Sequence, residues 1–183
     1  MTSQTSNALA AIHYAKGFHI DGLLADVCTE LQVRGMRLGG LLQICETSGA
    51  VSTCRTLVHA VDLRTGQHFD IWDDHENAVG SCRLDEAGLD RAAAAIDTAI
   101  SERVDLLIIN RFGRAESRGR GMCPRFASAV EASIPVLTCV RPPYDQAWST
   151  FHDAEAQQLS CDLEDILGWA NDVNLAAIRA TAR

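Results

Sequence analysis

The 183-residue chain has one lysine, Lys16, four prolines and only 5% aromatic residues. It contains no apolar run of the ~18–20 residues that a membrane span requires, and Met1–Asn7 has neither the cationic start nor the apolar stretch of a signal peptide. No membrane partner and a cytoplasmic location are therefore expected. The seven cysteines, at positions 28, 45, 54, 82, 123, 139 and 161, form no CxxC pair. An odd, scattered set argues against a disulfide framework or a zinc knuckle and points to reduced thiols used as small core residues. Positive charge is scarce as well. The 16 Lys and Arg against 24 Asp and Glu leave a net charge of −8, which argues against nucleic acid as a partner.

The hydrophobic fraction, 47%, is enough for one α/β domain over 1–183 that needs no metal or disulfide to be stable. Ala8–His13 reads as a strand. Leu24, Val27, Cys28 and Leu31 then recur at helical spacing, and Leu38–Ile44 resumes as a strand in which Gly39 and Gly40 allow close backbone approach. Thr56–Leu63, the turn Arg64–Gln67 and His68–Trp72 read as an antiparallel hairpin at a sheet edge. Asp85 is the expected N-cap of a helix running to Ser101, and Val104–Ile109 is a strand buried on both faces. After a polar loop, Asn110–Gly121, come a helix (Met122–Ala132), a second buried strand (Pro135–Val140) and two closing helices, Gln146–Gln158 and Leu163–Ala180. This order predicts an α/β fold: an open, mostly parallel sheet with helices on both faces and an antiparallel edge hairpin.

In such sheets ligands sit outside the carboxyl ends of the parallel strands. The loops leaving those ends are Tyr14–His19, Asn110–Gly121 and Arg141–Tyr144. Between Arg111 and Arg125 lie five arginines (Arg111, Arg114, Arg118, Arg120, Arg125) and a single acid, Glu116. Guanidinium forks match the oxygens of phosphate and similar oxyanions, so the candidate ligand-binding set is Tyr14, Lys16, Gly17, His19, Gln43, Asn110, Arg111, Gly113, Glu116, Arg118, Arg120 and Arg141. Glu116 is expected to hold one arginine in place. The competing reading makes these arginines a solvated loop, or salt-bridge partners of the acidic C-terminal helices in the same or a neighbouring subunit of a homo-oligomer.

A phosphate-cradling P-loop needs GxxxxGK[ST], with lysine on the outer phosphates and the hydroxyl on magnesium. The corresponding stretch is His13-Tyr14-Ala15-Lys16-Gly17-Phe18-His19-Ile20-Asp21, where lysine precedes glycine and no Ser or Thr follows. The acid that nucleoside triphosphatases place after a buried strand is also missing, because Asn110-Arg111 stands there. Asparagine cannot supply the charge that holds a divalent cation, so no metal site is expected. His59 and His68 could face each other across the hairpin near Cys54 or Cys82, yet no histidine pair has ligand spacing on one helix face. Asp70–Glu76 lacks the spacing of a calcium loop. A catalytic cysteine is unsupported, although Cys123 lies at a helix start beside the arginines, a setting that could lower its pKa.

The segment Leu107–Gly121, LIINRFGRAESRGRG, followed by a helix and Ile134–Val140, IPVLTCV, resembles a bacterial family of unknown function related to small P-loop nucleoside triphosphatases. Tyr14, Gly17, Asp21 and the Gly39–Gln43 strand extend the likeness from Ala8 to Pro142. The resemblance implies a P-loop-type three-layer α/β sandwich whose nucleotide machinery has decayed, in a family associated with molybdate uptake and molybdenum metabolism. The expected function is binding, without hydrolysis, of a nucleotide or a small oxyanion such as molybdate. No catalytic residue and no cofactor is assigned. The alternatives are a weak nucleoside triphosphatase using Lys16 and a water positioned by Glu116, and a subunit-interaction protein.

Overall fold

The computed structural model describes residues 7–47, 56–73, 83–84, 86–153 and 155–181. The first strand, β1 (Leu9–His13), is apolar and buried. Helix α1 (Ile20–Val33) buries Ile20, Leu24, Val27, Cys28 and Leu31 in one stripe, the periodicity that makes it amphipathic. It stops where Gly35 takes a φ of 82°. Strand β2 (Leu38–Thr47) runs three residues beyond the expected end, because Cys45–Thr47 continue the antiparallel ladder to β3 (Thr56–Asp62). Gly40 adopts a φ of 99°, and a Cβ there would run into the backbone of Ile108 on the neighbouring strand. That is the close approach its sequence anticipates.

The hairpin is completed by β4 (His68–Asp70), and β5 (Trp72–Asp73) pairs with β6 (Arg83–Leu84) as a separate two-stranded sheet that the sequence did not announce. Helix α2 (Glu86–Ser101) follows; its expected cap, Asp85, lies outside the described residues. Strands β7 (Leu106–Ile109) and β8 (Val136–Val140) are buried at every position, as near-continuous apolar runs should be. Between them, α3 (Cys123–Glu131) is preceded by one 3-10 turn, Glu116–Arg118, inside the segment read as a loop.

The expected helix Gln146–Gln158 is instead α4 (Asp145–His152) followed by a strand, β9 (Ala156–Leu159). Asp153 takes the left-handed conformation, φ 45°, and ends the helix; Ala156–Leu159 then pair in parallel with β1. The free edge of β1 decides this strand, since Ala-Gln-Gln-Leu carries no strand signal of its own. The last helix is α5 (Leu163–Thr181).

The seven-stranded sheet has the order β4-β3-β2-β7-β8-β1-β9. Pairing is parallel from β2 through β9 and antiparallel at the β3 and β4 edge. Alternate residues of the central strands feed two cores. Ile12, Leu106, Ile108 and Cys139 pack under α1 and α5, while Ala11, Leu107, Ile109 and Val140 pack under α2, α3 and α4. Three layers result, and each fully buried Leu or Ile contributes about 1.5–3 kcal/mol. The carboxyl ends of β7, β8 and β1 lie side by side. No helix of the described residues is long and apolar enough to cross a membrane.

Candidate functional site

The first loop leaves β1 at Tyr14, whose N–H donates to the carbonyl of Val140 at 3.1 Å. Tyr14 is buried, and burial raises its phenol pKa against the opposing charges of Arg111 and Arg141. Lys16, Gly17 and His19 are exposed, and the Lys16 side chain has no partner among the described residues. The His19 ring lies over Gly22, where a Cβ would have no room. Asp21 stands in the first turn of α1, where the helix dipole favours a negative charge. There it accepts from Arg111 Nη2 at 2.6 and 2.8 Å and from Asn110 Nδ2 at 3.1 Å. Burial works to lower the Arg111 pKa, but the hydrogen bonds and charge of Asp21 outweigh it and raise the value. A protein carboxylate thus sits at the helix start where a P-loop protein would offer backbone N–H groups to phosphate.

The second loop is shaped by Phe112 and Glu116. The Phe112 N–H donates to Cys139 O at 3.0 Å, and its ring packs edge-on against Trp148 at 5.1 Å, so the loop is fixed to the core one residue after Arg111. Glu116 does not hold an arginine, contrary to expectation. Its two carboxylate oxygens accept the N–H groups of Gly113 and Met122, each at 3.0 Å, and close the loop on itself. Gly121 has a φ of 60°, and a Cβ there would collide with that carboxylate.

The five arginines divide accordingly. Arg111 is held by Asp21, and Arg125 by Asp97 at 2.9 and 3.1 Å, a link between α3 and α2. Arg114, Arg118 and Arg120 are exposed, and their side chains have no partner among the described residues. They border a cavity of about 760 Å³. Its apolar wall comprises Leu41, Ala60, Ile71, Leu89, Ala92, Ile109 and Met122, and its polar rim includes Gln43, Asn110, Arg111, Gly113 and Glu116.

The predicted set therefore separates into two groups. Gln43, Asn110, Arg111, Gly113, Glu116, Arg118 and Arg120 surround the cavity; Tyr14, Lys16, Gly17, His19 and Arg141 do not line it. Arg141 Nη1 donates instead to the carbonyl of Pro142 at 3.3 Å. Sequence reasoning missed the part of the wall given by Ile71 and by α2, although Leu89 and Ala92 stand at helical spacing. It also left Asp21 without a partner.

Other sequence candidates resolve simply. His59 Nδ1 lies 2.7 Å from Asp70 Oδ1, and the His59 and His68 rings are 6.1 Å apart. Cys54 and Cys82 lie outside the described residues. Among the described residues no three His, Cys, Asp or Glu are grouped to hold a metal ion. Cys28, Cys123 and Cys139 are buried free thiols, and burial pushes Cys28 up to about 12. Cys123 is not activated: burial, then the Glu116 charge, raise its pKa.

A mostly parallel three-layer sheet, with a helix start after β1 and polar loops after β7 and β8, defines a three-layer α/β protein. The solution structure of a human cancer-related nucleoside triphosphatase superposes with a TM-score of 0.60 at 11% identity, covering 93% of this chain and 98% of that one. This likeness is one of fold. The chain belongs to the family described as protein of unknown function (DUF2478), whose model matches residues 9–169. A molybdenum import ATP-binding protein, ModC 2, of Bradyrhizobium diazoefficiens is 37% identical over 168 residues, which are 92% of this chain. The chain spans only 18% of that relative's length.

Proposed function

We propose that the protein binds a small anion, either a nucleotide or a compact oxyanion such as molybdate, at the second loop and does not hydrolyse it. The observation that carries this reading is the set of three unpartnered guanidinium groups, Arg114, Arg118 and Arg120, at the rim of a cavity of about 760 Å³. That volume falls in the range of small-molecule sites, about 300–1,000 Å³. The apolar wall suits a ring, and the arginines suit phosphate or oxyanion oxygens. The name of the relative, a molybdenum import protein, adds molybdate and tungstate to the ligands worth testing.

Two features oppose hydrolysis. Asn110-Arg111 supplies no anionic group for a magnesium ion after β7, and both Glu116 oxygens are engaged by backbone N–H groups rather than free to orient water. Calorimetry with ATP, GTP, molybdate, tungstate and sulfate is expected to show at least one ligand binding below millimolar concentration, with no phosphate release above background in magnesium. Binding of none of the five at that level would end the proposal, and magnesium-dependent release lost in Lys16→Ala would favour the triphosphatase reading.

A further inference from the structure

Arg111 is the residue through which the two loops meet. Its backbone follows β7 and borders the cavity on the α2 face of the sheet, while its guanidinium reaches across the sheet edge to α1. Three features set this position apart from an ordinary structural ion pair. Arg111 has a φ of 90°, a strained conformation that L side chains rarely adopt. Its Nε is buried without a hydrogen-bond partner. So is Oδ1 of Asn110: the carboxylate of Asp21 only accepts, so Nδ2 faces it and the amide oxygen is turned away. Buried polar groups are normally satisfied, and adjacent orphans of opposite type on one strained dipeptide call for an explanation.

The surroundings supply one. The side chain of Arg111 is 31% exposed and that of Asp21 only 14%, so the guanidinium is the more accessible member of the pair. The Phe112 N–H on Cys139 O and the Gly113 N–H on Glu116 hold the backbone that follows Arg111. An anion seated among Arg114, Arg118 and Arg120 offers the same paired oxygens that the Asp21 carboxylate offers now.

We propose that Arg111 is a shared cation, held by Asp21 while the cavity is empty and drawn onto the ligand's oxygens when it fills. Asp21 then acts as a built-in competitor that sets the affinity, and the first turn of α1 loosens on binding. The ligand class is one that presents a phosphate or tetrahedral oxyanion face to a guanidinium fork. This inference rests on the reading of the cavity as an anion site.

The test uses the full chain with ATP and with inorganic molybdate as probes, in wild type, Asp21→Asn, Arg111→Gln and the double variant. Asp21→Asn is expected to tighten binding about fivefold to hundredfold, the range of ordinary coupling between sites, and Arg111→Gln to weaken it. In the double variant the gain disappears, which a merely structural role of Asp21 would not produce. As a check free of mutation, hydrogen exchange at Leu23 and Leu24 of the wild type is expected to quicken when the effective probe saturates. Wild-type binding that Asp21→Asn leaves unchanged or weakens overturns the shared cation alone, as does slower exchange. Absence of binding in both wild type and Asp21→Asn overturns the anion site and the shared cation together.

Discussion

Two loops leave the same edge of the same sheet, and the carboxylates beside them are committed in different ways. The loop after β1 brings Lys16 to a helix start, but Asp21 in the first turn already supplies an anion, and Arg111 answers it. The loop after β7 folds its only carboxylate, Glu116, inward onto its own N–H groups and leaves Arg114, Arg118 and Arg120 facing outward beside a cavity. Charge count therefore does not locate an anion site. What matters is whether the carboxylates nearby are already committed, and to which partner.

The comparison breaks most visibly if the second loop loses its anchor. Phe112 is 2% exposed and packs against Trp148 and Phe126, so Phe112→Ala is expected to cost about 3–5 kcal/mol in urea denaturation. A loss below about 1 kcal/mol would mean that the second loop is fixed elsewhere. Next in size is the contrast in binding. Replacing Arg114, Arg118 and Arg120 together by alanine is expected to weaken the tightest ligand at least about 100-fold, since charge-assisted hydrogen bonds contribute about 1.5–3 kcal/mol each. Thermal unfolding of the unliganded protein should barely change, because all three side chains are exposed.

Glu116→Gln sharpens the comparison from inside the second loop. The amide keeps one acceptor oxygen for two N–H groups, and the expected loss is about 1–3 kcal/mol in denaturation, with weaker ligand binding as the arginines lose their platform. An affinity equal to wild type would show that the loop shape does not organise the arginines. The smallest effect is expected at Lys16→Ala: less than about 0.5 kcal/mol in stability and less than about twofold in affinity. A loss comparable to that of the arginine variant would restore the first loop as the phosphate seat.

Much of the architecture was legible. Leu106–Ile109 and Val136–Val140 are apolar runs that only a sheet covered on both faces can use, and α1 announces itself by Leu24, Val27, Cys28 and Leu31. Strand β9 was not legible, because Ala156–Leu159 become a strand only by pairing with β1, nearly 150 residues earlier in the chain. Site location fared similarly. The loops were placed by the strand ends they follow, but the partners within them depend on alternatives of nearly equal local chemistry. Glu116 stands among four arginines and bonds to none of them. Ile71, a single aliphatic residue between Asp70 and Trp72, gave no sign that it would face a cavity.

The sequence by itself determined the alternation of elements, the two-sided burial of the central strands, the missing phosphate motif and the concentration of arginine after β7. These follow from periodicity, composition and local turn chemistry, which act over a few residues. Tertiary structure alone decided which arginines stay free. Asp21 and Arg111 are 90 residues apart, and they meet only because the strand order sets the end of β7 near the end of β1 across β8. An ion pair of that kind depends on distance and desolvation, and neither exists until the sheet has assembled.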